Sequence, residues 1–346
     1  MAHTYIIGEI GQNHNGSVDI AKLITQLVAR PVKEALFGLD LQPIDAVKLT
    51  KRDLKEELTQ SEMNRPYNSP NAFGRTYGEH RQYLELSDEE HFEIYRYAKS
   101  LGLDFVETLC APGTLSLLKL FTPDKLKVAS RDLTNLPLLE ALAETKIPII
   151  LSTGMGGERE LEMALDIITK QHTDISILHC VSQYPTHPAN ANLKTISYLK
   201  KRYPQYTIGY SDHTIGISAP VAAVALGAKI IEKHITIDRY MKGTDQINSL
   251  GPDGVRRMIR DIRLTEMSLG EENMFIDNCV LEAKEKLERS IATKYALPKG
   301  HIIAEKDLHL LSPGTGLPWH KRHLLIGKKL RKDKPADELI LKEDVE

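Results

Sequence analysis

The sequence predicts an α/β fold, a parallel (β/α)8 TIM barrel followed by a small β-rich terminal module, and three observations carry that reading. Short apolar runs ending in polar residues recur eight times within the first 285 of the 346 residues. Stretches with helical spacing of apolar residues separate most of them, so strand and helix alternate as a parallel barrel requires. Beyond about residue 285 the alternation gives way to short β-like runs joined by Pro- and Gly-containing turns.

In order, the runs are Tyr5–Glu9, Asp45–Thr50, Asp104–Thr108, Leu126–Ser130, Pro148–Ser152, Ile175–Cys180, Thr207–Ser211 and Lys229–His234. Helical spacing shows in Leu161, Ala164, Leu165 and Ile168, and again in Val255, Met258, Ile259 and Ile262, where Pro252 opens the first turn. The connection between the second and third strands is long. Its residues 64–78 punctuate Tyr67, Phe73 and Tyr77 with Pro, Asn and Gly, before a helical stretch from Ser87 to Ser100. A loop of this size on a barrel's active face is expected to be a functional lid. The barrel is assigned to residues 1–285 and the terminal module to 286–346. The module contains the turn Pro298-Lys299-Gly300, the loop Ser312-Pro313-Gly314-Thr315-Gly316 and a helical start near His320. At about 60 residues it is near the lower limit for a core of its own and is expected to pack against something.

Composition narrows the function. A formal net charge of −2 supplies no general attraction to nucleic acid or to an anionic membrane, so useful cations must be local and aimed at a small anion. Cys110, Cys180 and Cys279 follow neither a paired secretory framework nor a close-spaced zinc motif, which predicts a reducing compartment and buried thiols. No basic segment leads into an apolar one at the N-terminus, and no apolar stretch approaches the roughly 20 residues of a membrane span. The expected location is cytoplasmic.

Active groups of parallel barrels sit at the carboxyl ends of the strands. Those ends carry Glu9, Lys48 with Thr50, Thr108, Lys127 with Ser130 and Asp132, Ser152, Tyr184, Ser211 with His213, and His234. Any one such Ser or Lys is most simply a solvated loop residue. Together they make a basic, hydroxyl-rich rim suited to a phosphate or carboxylate. His213 and His234, on adjacent strand ends, can share one divalent metal, and alternation puts Glu232 and Thr236 on the same face as His234. With two protein ligands the ion keeps open positions, as suits an exchangeable Mn2+, Mg2+ or Co2+ rather than a closed structural zinc. His14 and His179 also lie near strand ends and are read as core or hydrogen-bonding histidines.

Several segments, taken together, resemble the sialic acid synthase family. They are Glu9-Ile10-Gly11-Gln12-Asn13-His14-Asn15-Gly16, Thr76-Tyr77-Gly78-Glu79-His80, Leu151-Ser152-Thr153-Gly154-Met155, His179-Cys180 with Tyr184-Pro185, Gly209-Tyr210-Ser211-Asp212-His213, and Ala223-Val224-Ala225-Leu226-Gly227-Ala228. The terminal module resembles the antifreeze-like (SAF) domain of these synthases. The resemblance implies condensation of phosphoenolpyruvate with an N-acetylhexosamine, typically N-acetylmannosamine or its 6-phosphate. The products are a nine-carbon 2-keto acid and phosphate. It implies that Lys48, Thr108, Lys127, Ser130, Ser152 and Ser211 hold phosphoenolpyruvate, and that His213 and His234 bind the metal, Mn2+ foremost. It implies too that Glu9 and Asp132 meet the sugar or relay protons, and that Tyr184 and Asp245 complete the sugar pocket. A homodimer with exchanged terminal domains follows from the same resemblance.

Three positions depart from the family pattern: Arg131 where a Gly is usual, Ser182-Gln183 where an Asn is frequent before the Tyr-Pro pair, and Ser312 where many bacterial members have an Arg. All three fall near the presumed sugar subsite. Arg131 has two readings, an ion pair with Asp132 or another acid, and recognition of a sugar 6-phosphate. Two other classes compete with the synthase. A Schiff-base aldolase would use Lys48 or Lys127 as nucleophile. A carbohydrate- or ice-binding protein would leave the converging acids, lysines and histidines without a purpose.

Overall fold

The computed structural model describes residues 3–346. One compact unit runs to Gly270 and a second spans Glu271–Glu346. In the first unit the eight expected strands all form: β1 (Tyr5–Gly11), β2 (Ala46–Lys51), β3 (Asp104–Leu109), β4 (Lys125–Val128), β5 (Ile149–Ser152), β6 (Ile175–Cys180), β7 (Thr207–Asp212) and β8 (Ile230–His234). They close into a barrel in which each strand pairs in parallel with its neighbours in sequence, and β8 pairs with β1.

Period-two alternation divides each strand between the barrel interior and the helices outside. Ile7, Ala46, Val106, Ile150, Leu178 and Ile230 form a buried apolar plug inside the barrel. Two residues farther along the same strands stand Glu9, Lys48, Thr108, Ser152, Cys180 and Glu232. The plug therefore lifts a polar layer to the carboxyl face. Gly209 belongs to this interior, where a Cβ would meet Ile230 O and Leu178 Cδ2 at 2.5 Å, so the close approach of three strands requires glycine.

Helices cover the outer face as their spacing predicts. Glu158–Ile168 buries Leu161, Ala164, Leu165 and Ile168, and Pro252–Ser268 buries Val255, Met258, Ile259 and Ile262. The long β2–β3 connection is well structured. It holds short helices Leu54–Glu57 and Gln60–Met63, then Tyr77–Leu84 and Asp88–Ser100, the last two opened by capping boxes at Thr76 and Ser87. Tyr67, Phe73, Tyr77 and His80 pack ring against ring within it. A short hairpin, Val32–Glu34 with Leu39–Leu41, interrupts the first connection and was not anticipated.

The second unit has its own core, with Ile291, Leu297, Ile303, Leu308, Leu325, Leu330 and Ile340 all buried. Strands Ser290–Thr293 and Leu308–Leu311 pair antiparallel, and a short 3-10 helical segment, Trp319–Leu324, lies at the expected place. The sequence-based boundary at 285/286 falls inside the helix Leu281–Leu287, whose Glu285 and Leu287 carbonyls accept from Gly314 N at 2.7 Å and Ser312 Oγ at 3.0 Å. The expectation of three buried thiols holds for Cys110 and Cys180 only. Cys279 is exposed because it lies in the short turn Asn278–Val280, which buries no residue. Among the described residues no helix is long and apolar enough to cross a membrane.

Candidate active site

Strand register assembles the site. Glu9 stands beside both Lys48 and His234, Thr108 beside Lys127, and Ser211 beside both Glu232 and Cys180. These side chains line a cavity of about 290 Å3 at the carboxyl ends of the strands. On its floor Lys48 Nζ lies 2.7 Å from Glu9 Oε2, 3.2 Å from Thr108 Oγ1 and 3.6 Å from Glu232 Oε2. Lys127 Nζ donates to Ser152 Oγ at 2.6 Å and lies 3.9 Å from Glu232 Oε1, which accepts from Ser211 Oγ at 2.9 Å.

All four charged floor residues are at most 5% exposed, so desolvation and pairing compete. Burial raises the Glu9 carboxyl to about 7 against the pull of Lys48, so it can hold or release a proton near neutral pH. Burial alone would raise Glu232 too, but the ammonium groups of Lys127 and Lys48 outweigh it and keep that carboxyl ionised. For Lys48 the two carboxylates outweigh burial and hold its proton more firmly, while burial prevails at Lys127 and loosens its proton.

His213 and His234 face each other with ring centroids 5.5 Å apart, and Tyr184 lies over His213 at 4.1 Å. His213 Nδ1 is 2.9 Å from Val181 O. A carbonyl only accepts, so Nδ1 carries a proton and Nε2 is the nitrogen left to face a metal. Among the described residues His234 Nδ1 is buried without a hydrogen-bond partner, and burial lowers this imidazole's pKa. Two facing imidazoles, each with a ring nitrogen not engaged by another described residue, suit a divalent ion whose other positions go to water or substrate. Among the described residues no set of three or more His, Cys, Asp or Glu side chains is arranged to hold a metal. The residues just before the two histidines lock their strands together from behind: Lys233 Nζ donates to Asp212 Oδ2 at 2.5 Å, with both side chains fully buried. Removing one partner of such a pair typically costs about 3–5 kcal/mol.

Every site residue named from the sequence lines this cavity except Asp132. The segment after β4 is a tight turn, Ser130–Asp132, rather than an extended strand end. Successive residues of such a turn point about a third of a revolution apart. Ser130 faces the cavity, Arg131 lines both it and an adjoining cleft, and Asp132 lines only that cleft, with Glu57 and Asn135. Arg131 is committed to acids, at 2.6 Å from Glu57 Oε2 and 3.2 Å from Asp132 Oδ2. Ser130 Oγ accepts from Gly154 N at 3.0 Å; a Cβ on Gly154 would come within 2.8 Å of that oxygen and of Cys180 Sγ. His14 and His179 stay outside the cavity, bonded to Gly16 N and to Ala191 O.

The sequence reading missed Arg52, Arg81, Gln12, Cys110 and Cys180, all of which line the cavity. Arg52 was within reach, since it continues the Lys48, Thr50 face by two residues. Arg81 and Gln12 carried no local signal. They meet at 2.7 Å only because the helix Tyr77–Leu84 folds back over the end of β1.

Comparison with known proteins adds to this geometry. Residues 42–274 match the NeuB family, and residues 288–346 match the SAF domain. The N-acetylneuraminate-9-phosphate synthase of Homo sapiens is 34% identical over 99% of this chain and 92% of its own length. The N,N'-diacetyllegionaminic acid synthase of Legionella pneumophila is 33% identical over 99% of this chain and 94% of its own length. Among solved structures, the N-acetylneuraminic acid synthetase of Leptospira borgpetersenii, in complex with citrate, superposes with a TM-score of 0.68. It is 30% identical, over 81% of this chain and 90% of that one.

Proposed function

We propose a function for this chain, which belongs to the NeuB family. It joins C3 of phosphoenolpyruvate to the aldehyde of an open-chain N-acetylhexosamine, free or 6-phosphorylated, while water adds at C2 and phosphate leaves from it, making a nine-carbon 2-keto acid of the sialic acid class. The observation that carries this reading is the floor. Two buried lysines converge there with Thr108, Ser152, Ser211 and two facing imidazoles. Phosphoenolpyruvate brings about three negative charges, which two ammonium groups and a ring of hydroxyl donors neutralise and orient.

Roles follow from position. Lys48 and Lys127, with Thr108, Ser130, Ser152 and Ser211, bind the phosphate and carboxylate and aim C3 of the enol at the aldehyde carbon. Glu9, with its carboxyl near 7, gives a proton to the aldehyde oxygen as the new carbon–carbon bond forms. Tyr184, Thr50 and Asp245 line the space left for the sugar. His213 and His234 would hold the divalent ion, Mn2+ foremost, and such an ion polarises a carbonyl or lowers the pKa of bound water. The family reading also includes a homodimer with exchanged terminal units. The exposed run Met274-Phe275-Ile276 supports an assembly, because a lone chain leaves these side chains in water. A native mass of one chain in solution would refute it.

Phosphate release from phosphoenolpyruvate, assayed with Mn2+ against a panel of six-carbon sugars and their 6-phosphates, tests the function. Release should require an N-acetylhexosamine acceptor and stop on chelation. The Schiff-base alternative centres on Lys127, whose ammonium is the more easily deprotonated. A borohydride-trapped adduct with pyruvate, and activity that survives chelation, would replace the synthase reading with it.

A further inference from the structure

Among the described residues three guanidinium groups line the cavity, and one of them, Arg81, has no acid within ion-pair distance. Arg52 lies 3.3 Å from Glu57 and 3.7 Å from Glu85, and Arg131 is paired with Glu57 and Asp132. Arg81 is held by neutral oxygens alone: Nε and Nη2 donate to Tyr77 Oη at 2.9 and 2.7 Å, and Nη1 donates to Gln12 Oε1 at 2.7 Å. Among the described residues it forms no ion pair.

These bonds take three of the five guanidinium N–H groups and leave one on each terminal nitrogen. The group is also clamped, since its carbon sits 5.0 Å from the Tyr77 ring centroid and the helix below is fixed by the Thr76 capping box. An oriented cation with a spare N–H on each terminal nitrogen and no ion-pair partner among the described residues suits the oxygens of a phosphate. Its place separates it from the floor, because Gln12 follows the end of β1 whereas Glu9 and Lys48 lie within the strands. Lys242 adds a second cation beside the same segment, 4.7 Å from the Phe73 ring centroid.

Resting on the synthase reading, we propose that Arg81 is the specificity-determining residue for the acceptor. It binds a phosphate monoester at the end of the sugar remote from the aldehyde, so the acceptor is an N-acetylhexosamine 6-phosphate and the product a phosphorylated nine-carbon acid. Arg131, the sequence-based candidate for this task, is already occupied by Glu57 and Asp132.

The test uses the full chain and two unreactive alcohols, N-acetylmannosaminitol and its 6-phosphate, titrated by calorimetry into wild type, Arg81→Gln and Arg81→Lys. Wild type should bind the phosphorylated alcohol more tightly. Arg81→Gln should weaken that binding about tenfold or more and leave the neutral alcohol and phosphoenolpyruvate within about twofold, with Arg81→Lys in between. Equal loss for both alcohols, or no advantage of the phosphate in wild type, overturns the assignment. Turnover separates this idea from the function beneath it. Equal phosphate release with N-acetylmannosamine and its 6-phosphate refutes only the role of Arg81, whereas no release with any acceptor removes both.

Discussion

The floor and the rim of the cavity are built on different principles. On the floor, Lys48 and Lys127 rise from barrel strands, are at most 5% exposed, and are balanced by Glu9 and Glu232. On the rim, Arg52, Arg81 and Arg131 come from the segments after the strands or from a helix of the long connection, and the Arg131 side chain is 33% exposed. Floor groups sit in a low-dielectric, register-bound layer where a change in one charge is felt by the other three. Rim groups are reached across by loops, and Arg131 among them is partly open to water. The chemistry common to a reaction class therefore belongs on the floor, and the choice of acceptor on the rim, where residues can change without cost to the barrel.

The largest effect expected from breaking this contrast is at the histidines. His213→Ala or His234→Ala should abolish phosphate release in saturating Mn2+ while the thermal midpoint changes little, since a site with only two protein ligands contributes little to folding. Turnover near that of wild type in either variant would end the metal assignment.

Next comes a floor charge. Lys48→Met should weaken phosphoenolpyruvate binding about tenfold or more, because a charge-assisted contact is lost. The same variant should raise the Glu9 carboxyl above its value of about 7, because Lys48 is the chief group pulling it down. Carbon-13 NMR of the labelled carboxyl would report this shift. A change confined to the sugar's affinity would mean that floor and rim have been assigned in the wrong order.

The smallest effect should come from Arg131→Gly. Its partly exposed ion pairs predict a loss below about fivefold, equal for N-acetylmannosamine and its 6-phosphate. A loss confined to the phosphorylated sugar would move the acceptor-binding role from Arg81 to Arg131.

The contrast also marks what could be read without coordinates. Lys48, Thr108, Lys127, Ser152, Ser211, His213 and His234 were legible because strand alternation is local: knowing that Ile7 or Ala46 points inward places Glu9 or Lys48 two residues later. Arg52 obeyed the same rule and was overlooked. Asp132 was misplaced because the run from Leu126 was read as strand through Ser130, while the chain leaves β4 at Val128 and turns. Arg81 had no rule to obey, since its meeting with Gln12 joins residues 69 apart in sequence through a helix whose docking no local pattern encodes. The amino-acid sequence alone determined the barrel, its polar floor and the paired histidines, because these follow from period-two and helical spacing. Only the tertiary structure decided which rim cations are neutralised and which is free, because charge compensation depends on distances between segments that the chain brings together only on folding.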